Sequence, residues 1–325
     1  MEANKQEYLL DISGLTVQYN TDDAVVHAVN GLNLKLRRGE TVGLVGETGA
    51  GKTTLALSVL RLLPERVGEI VSGSIRYEGE DLLTLPEAEM LPLRGKRISM
   101  IFQDPYSSLD PRMSVRNLVA EPLEVCNTIK DKKELNDWVD HIMELCGLPL
   151  DHANLYPHEL DGGLRQRVGL ARAMALGPKF VVCDEPVSAL DVSIQAQILN
   201  LLMDLQDQQG LSYMFITHDL CVVKHISDEI MVMYMGQTVE YAAAEEIFSN
   251  PLHPYTKALL QSIPTVDLSR RGRERFTLKG EVSNPIDPAP GCRFAPRCQY
   301  MCEKCKGECT LREVAPGHLV ACALL

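Results

Sequence analysis

The stretch from Gly46 to Thr54, G-E-T-G-A-G-K-T-T, constrains the chain more than any other. It satisfies every fixed position of the pattern G-x-x-x-x-G-K-[ST]. Gly46, Gly49 and Gly51 let the backbone turn tightly with no side chain in the way, so that successive N–H groups point into one concavity suited to phosphate. Glu47, Thr48, Ala50 and Thr54 complete the loop as binding candidates. Lys52 brings a point charge to β- and γ-phosphates, Thr53 offers a hydroxyl to Mg²⁺, and the helix opening here adds the positive end of its dipole. The flanks agree, with T-V-G-L-V before the loop reading as a buried strand and L-A-L-S-V-L-R-L-L after it carrying helical spacing. A chance Gly-rich turn with a lone Lys is the alternative, and the strand, loop, helix order argues against it.

A chain of 325 residues has room for one large α/β domain and a smaller appendage. Its net charge of -12 leaves no electrostatic footprint for nucleic acid, so no nucleic-acid partner is expected. No apolar run reaches bilayer length and M-E-A-N-K-Q-E lacks the apolar core of a secretory signal. The expectation is a cytosolic chain that reaches a membrane only through something else. Of 10 cysteines, those at 292, 298, 302, 305, 309 and 322 crowd together, which in a large chain favours a metal site over disulfides. Cys126, Cys146, Cys183 and Cys221 sit singly in apolar segments and read as small core residues.

Residues 8–19 and 31–37 alternate apolar with polar and predict antiparallel strands. Tyr19, at the end of the first, is either a core or edge aromatic or the ring on which adenine stacks. Strand-like runs at 73–77 and 97–102 follow, the second leading into Gln103 and a loop rich in Pro, Ser and Asp. Helical periodicity over 114–126 and 132–146 makes about 104–160 a helical insertion. In L-D-G-G-L-R-Q-R, Asp161 is placed to N-cap a helix whose first N–H groups Gly162 and Gly163 leave uncovered for an anion. The apolar run F-V-V-C-D-E ends in two acids, which packing alone does not explain. Asp184 suits Mg²⁺ and Glu185 suits orienting and polarising a water, against the plainer reading of a solvated turn. Ser188–Asp191 precedes a long amphipathic helix to about Gln209. His218 ends another buried strand, where open α/β sheets bind ligands, although a single His there is also commonly structural. Two short strands about Gly236 and a short helix over 243–249 follow.

In order and spacing these motifs, over residues 8 to about 250, resemble the ATP-binding cassette (ABC) proteins. The resemblance implies an α/β P-loop NTPase cassette over 1–250, with a RecA-like core, an antiparallel β subdomain and a helical subdomain that takes in the start of the signature helix. A Cys-rich extension would occupy 251–325. It implies Lys52 on phosphate; Thr53, Gln103 and Asp184 on Mg²⁺; Glu185 as catalytic base; and His218 on the γ-phosphate. Tyr19 would stack on adenine, Gln103 would sense the membrane partner, and Asp191 would make a contact across a dimer. In that family two cassettes face head to tail, and the signature of one, normally L-S-G-G-Q, completes the ATP site of the other. Here it reads L-D-G-G-L, and an ionised Asp161 only accepts hydrogen bonds where the usual serine donates one. Unequal sites in a heterodimer are therefore expected, against the alternative that Asp161 is merely a good N-cap, protonated or turned away.

N-P-L-H-P-Y-T-K-A-L-L-Q-S-I-P, then G-E-V, then G-C-R-F-A-P-R-C resemble the tails of dipeptide, oligopeptide and nickel importer ATPases. That implies a 4Fe-4S cluster on Cys292, Cys298, Cys305 and Cys322, with Cys302 and Cys309 extra. Zinc, for which C-x-x-C at 302–305 is a half-site, and unligated thiols remain alternatives. The implied function is ATP hydrolysis for a peptide importer, peripheral on the cytoplasmic face of the membrane. Its partners would be a second ATPase subunit, two permease subunits and an extracytoplasmic solute-binding protein. Import of nickel or another small solute, a soluble ABC ATPase outside transport, and a regulatory subunit that binds ATP without turnover are the alternatives. The last is opposed by the intact Glu185 and His218.

Overall fold

The computed structural model describes residues 8–263, 286, 288, 290–307 and 309–325. The stretch at 265–275, whose sequence reads as a helix-breaking link between cassette and tail, and the G-E-V at 280–282 lie outside the described residues. In chain order the elements are β1 (Leu10–Asn20), β2 (Val25–Leu36), β3 (Thr41–Val45), α1 (Lys52–Leu60), β4 (Gly68–Tyr77), β5 (Glu80–Asp81), α2 (Glu87–Leu93) and β6 (Ile98–Ile101). Next come α3 (Pro105–Ser108), α4 (Val115–Val125), α5 (Lys132–Leu145), α6 (Gly162–Met174), β7 (Phe180–Asp184), α7 (Val192–Gln209) and β8 (Ser212–Thr217). The chain ends with α8 (Leu220–Ile226), β9 (Glu229–Tyr234), β10 (Gln237–Ala243), α9 (Ala244–Ser249), α10 (Pro254–Ser262), β11 (Arg312–Ala315) and β12 (His318–Val320). They gather into two units, one of Met1–Arg37, Thr41–Leu83 and Thr217–Leu325, the other of Arg38–Glu40 and Thr84–Ile216.

In the first unit the alternating N-terminal segments form an antiparallel sheet ordered β2-β1-β4-β5. Ile12 pairs with Leu34 on one side and Ile75 on the other, and all three are buried. β2 begins at Val25, earlier than the alternation at 31–37 suggests, because Tyr19 and Asn20 of β1 continue to pair with Val26 and Val25. Pairing, rather than a buried face, supports those extra residues.

The unit's second set of strands runs β11-β12-β10-β9-β3. β3 is parallel to β9, and the other neighbours are antiparallel. Met235 and Gly236, at φ 49° and 76°, make the tight turn between β9 and β10, where both central residues need positive φ. The cysteine-bearing tail is built into this sheet, since Glu240 pairs with Val320 and Tyr241 with Leu319. Glu240 is fully buried and accepts from the N–H groups of Leu252 at 2.7 Å and His253 at 2.9 Å, while His318 Nε2 lies 2.8 Å from its carboxylate. Those partners offset the cost of burying an acid.

In the second unit β8, as far as Ile216, lies beside β7 and β7 beside β6, all parallel. Every residue of these strand segments is buried, which is why they read as nearly continuous apolar runs. The stretch expected to be helical holds α3, α4, α5 and two 3-10 turns. Side-chain oxygens N-cap its longer helices, Ser114 on α4 and Asp131 on α5, and likewise Asp161 on α6 and Asp191 on α7. Arg172 ties α6 to Glu121 and to the Ser108 carbonyl, both at 2.7 Å.

The four single cysteines divide. Cys146 and Cys183 are core residues, and burial pushes the Cys146 thiol up to about 12. Cys126 is half-buried and Cys221 exposed, contrary to the core reading, because one caps the end of α4 and the other lies on the solvent side of the first turn of α8. Among the described residues no helix is long and apolar enough to cross a membrane.

His253 N-caps α10 through its ring, with Nδ1 accepting from the Tyr255 N–H at 3.1 Å. Burial, helped by the Lys257 charge, pushes its pKa down to about 4. Between that value and the unfolded value near 6.5 the unfolded chain binds more protons, so stability should fall as pH drops through this window, by about 3 kcal/mol in full. Denaturant titrations from pH 7 to 4 check this. His253→Asn keeps an acceptor for the Tyr255 N–H, and it should flatten the decline.

Candidate functional site

β3 is wholly buried and delivers the chain into the glycine loop. Gly46 sits at φ 156°, and a Cβ there would stand 2.2 Å from the Met233 carbonyl oxygen; one on Gly51, at φ 97°, would stand 2.3 Å from that of Ala28. Backbone therefore presses on backbone, and no other residue fits. Gly51 N-caps α1 without a side-chain hydrogen bond, so no cap side chain covers the first N–H groups of the helix. Lys52 is buried, and its Nζ donates to the carbonyls of Gly46 at 2.7 Å and Glu47 at 3.1 Å, folding its charge across the loop. Thr48, Gly49 and Thr53 are exposed, while Ala50 is tucked in and its carbonyl accepts from the Gly236 N–H at 2.9 Å. The half-buried Tyr19 donates its hydroxyl to Thr54 Oγ1 at 3.1 Å and so backs the loop. His218 is exposed just beyond β8.

Sequence reasoning missed two side chains here. Tyr255, fully buried, accepts from the Glu47 N–H at 2.9 Å, and Arg297 meets the Glu47 carboxylate with both terminal nitrogens, at 2.6 and 3.1 Å. The hydrogen bonds to Glu47 raise the Arg297 pKa further, so the guanidinium stays charged. The available signal was the pair of arginines within C-R-F-A-P-R-C, a stretch that drew notice only for its cysteines and tail resemblance.

The second unit carries the acids. β7 ends at Asp184, which is 3% exposed, and Glu185 follows at φ 47°. Left-handed backbone costs a non-glycine residue about 1–3 kcal/mol and persists only where surroundings hold it. Here the Glu185 N–H donates to the Ile216 carbonyl at 3.0 Å, and the Glu185 carbonyl accepts from Ser188 N–H and hydroxyl at 3.3 and 3.1 Å. The turn thus aims the acid, and Gln103 Nε2 donates to its Oε2 at 3.2 Å. At the start of α6, Asp161 is exposed and accepts from the Leu164 N–H at 2.8 Å. A Cβ on Gly163 would stand 2.7 Å from Ile194 Cγ2 and one on Gly162 3.3 Å from Leu190, so both glycines permit close packing at the head of α7. Asp191 caps that helix, accepting from Ser193 and Ile194 N–H groups at 3.1 and 3.0 Å.

The tail thiols are near neighbours. Cys302 and Cys305 Sγ are 3.8 Å apart, and the Cys292 N–H donates to the Cys305 carbonyl at 2.9 Å. The fields of Cys305 and Cys322 both act on Cys298 and Cys309. Burial pushes Cys292 up to about 12, whereas a hydrogen bond from the Lys304 backbone draws Cys302 below its ordinary value. Metal–sulfur bonds of about 2.3 Å in a tetrahedron give a sulfur–sulfur edge of about 3.8 Å. The 302–305 pair matches one such edge, and an all-sulfur donor set suits zinc or iron. Even so, among the described residues no group of three or more His, Cys, Asp or Glu side chains is arranged to hold a metal ion.

Comparison with known proteins agrees with this geometry. Residues 29–188 match the ABC transporter family, and residues 239–305 match the family described as oligopeptide/dipeptide transporter, C-terminal region. The oligopeptide transport ATP-binding protein AppF of Bacillus subtilis is 45% identical, covering 100% of this chain and 99% of its own. The dipeptide transport ATP-binding protein DppF of Haemophilus influenzae is also 45% identical, over 99% of this chain and 98% of its own. Among solved structures, cbiO1 from Clostridium perfringens, part of the ABC transporter complex cbiONQ, superposes with a TM-score of 0.66 at 27% identity, covering 75% of this chain and 92% of that one. The chain belongs to the ABC transporter family and is an ABC-type ATPase, with the cassette fold.

Gly46→Ala tests the close approach. Its Cβ would meet a backbone carbonyl that has no room to move, so the variant should lose most nucleotide affinity and about 2 kcal/mol or more of stability. Equilibrium dialysis with ATP and thermal melting measure the two effects.

Proposed function

We propose that the chain is the ATP-hydrolysing subunit of a peptide importer, powering transport through a separate membrane permease from the cytoplasmic face of the membrane. The observation that carries this reading is a likeness to peptide transport ATP-binding proteins that runs nearly the full length of the chain, tail included. The cassette is assigned to 1–250, its helical subdomain to about 104–160, and the peptide-importer-type extension to 251–325. Nickel or another small solute is the alternative cargo.

In this reading the N–H groups from Gly46 to Thr54 and the charge of Lys52 hold the phosphates, and Tyr19 stacks on adenine. Thr53, Gln103 and Asp184 are the residues that would hold Mg²⁺, which supplies charge neutralisation at the phosphates. Glu185 orients and polarises the attacking water, helped by Gln103, and His218 contacts the γ-phosphate. Gly162, Gly163 and Asp161 face the partner's nucleotide, and Asp191 contacts the partner across the dimer. Asp161 already spends one oxygen on its own helix, and as an ionised acid it repels a γ-phosphate where a serine would donate. That supports a heterodimer in which the partner supplies an ordinary signature and this chain's own site does the work. Two permease subunits and an extracytoplasmic binding protein complete the assembly.

Purified complex in membranes decides the matter. Glu185→Gln should cut ATP turnover by about two to four decades while leaving ATP binding intact and stabilising the closed dimer. Asp161→Ser with Leu164→Gln should speed the partner's site. Undiminished turnover in the first variant would move the base elsewhere, and a partner site already as fast as this chain's would remove the asymmetry.

We further propose that Cys292, Cys298, Cys305 and Cys322 bind one 4Fe-4S cluster with a structural role. The all-sulfur chemistry of the tail and the mutual influence of Cys298, Cys305 and Cys322 support it, and the 302–305 pair keeps zinc as the alternative. Protein made anaerobically should carry iron and acid-labile sulfide and absorb in the visible; zinc without sulfide would replace the cluster with a zinc site.

A further inference from the structure

Three backbone and side-chain groups of Glu47 are held from three directions. Its N–H donates to Tyr255, its carboxylate receives both Arg297 nitrogens, and its carbonyl accepts from Lys52. The Arg297 side chain is only 6% exposed, and a buried two-point contact between guanidinium and carboxylate sets orientation as well as distance.

The segment that presents Arg297 is itself locked down. Phe294 is buried and packs its ring at 5.3 Å from both Tyr234 and Tyr255, and Arg293 donates to the Met235 carbonyl. Met235 leads into Gly236, whose N–H holds the Ala50 carbonyl. Residues 292–298 therefore reach the phosphate loop directly at Glu47, and at Ala50 through the turn between β9 and β10. Docking the tail does not need this. β12 already pairs with β10, and His318 already meets Glu240. A buried arginine aimed at an acid inside the phosphate loop is additional to those attachments.

We infer that Arg297 is a positioning residue for the nucleotide site, acting through Glu47, so that the thiol-bearing tail sets how well the loop holds a nucleoside triphosphate. This rests on the reading of Gly46 to Thr54 as the nucleotide cradle. Without Arg297, Glu47 would leave an unneutralised carboxylate in the loop that receives the triphosphate, and the loop would lose the contact that orients it. The loss falls on ground-state binding, because Glu185 and Gln103 are untouched.

The test uses the full-length chain for ATP affinity and the purified complex for turnover. Arg297→Gln should weaken Mg-ATP binding and raise KM about tenfold, with kcat within about twofold of wild type. Glu47→Gln loses the orienting contact without baring a carboxylate and should weaken Mg-ATP binding by less, the double variant should be no worse than Arg297→Gln, and Arg297→Lys should recover part of the affinity. If Arg297→Gln does not fold, the Glu47→Gln and Arg297→Lys variants decide. A lowered melting temperature with unchanged affinity and KM would mean that the pair only docks the tail, and would overturn the inference. A wild-type chain that binds no ATP would overturn the cradle reading and this inference with it.

Discussion

The first unit depends on backbone meeting backbone around the phosphate loop. Gly46 lies against the Met233 carbonyl of β9, and Gly51 and Gly236 both lie against the Ala28 carbonyl of β2. These approaches leave no room for a methyl group, and they bring hydrogen-bonding groups of two strands and one turn to the rim of one loop. Asn30 N–H to Gly236 carbonyl, at 2.8 Å, and Gly236 N–H to Ala50 carbonyl close the set. A loop so short of side chains has little to hold its own shape, and its neighbours supply that rigidity.

Local patterns made most of this legible. The glycine loop, the buried strand before it, the paired acids at the end of β7 and the caps at Asp161 and Asp191 each depend on residues a few positions apart, and such signals survive in a single sequence. Extra strand length at Val25–Asn30 was hidden because it depends on pairing with β1, not on alternation. The helix α10, over a stretch read only for its tail resemblance, and the short strands β11 and β12 went unread. Arg297 and Glu47 are 250 residues apart, as His318 and Glu240 are 78 apart, and no local spacing announces such partners. Cys126 and Cys221 show the opposite error, since apolar neighbours in sequence do not ensure burial at a helix end.

The acids differ in their surroundings. Glu240 is buried, accepts from two backbone N–H groups and faces the His318 ring. Glu47 is partly exposed and shares an arginine, and Glu185 stands on strained backbone with an amide beside it. The same carboxylate group thus stands in three different settings, set apart by how much water and which donors each one sees.

Glu240 also bears on how the chain tolerates being cut. It accepts from the N–H groups entering α10 and faces the ring of His318 on β12, 78 residues further along the sequence. A chain severed between α10 and β12 would leave the acid buried without its histidine and β10 without the strand that pairs with it. From β10 to β12 the chain is therefore one structural block, which a nick inside it would undo from both sides.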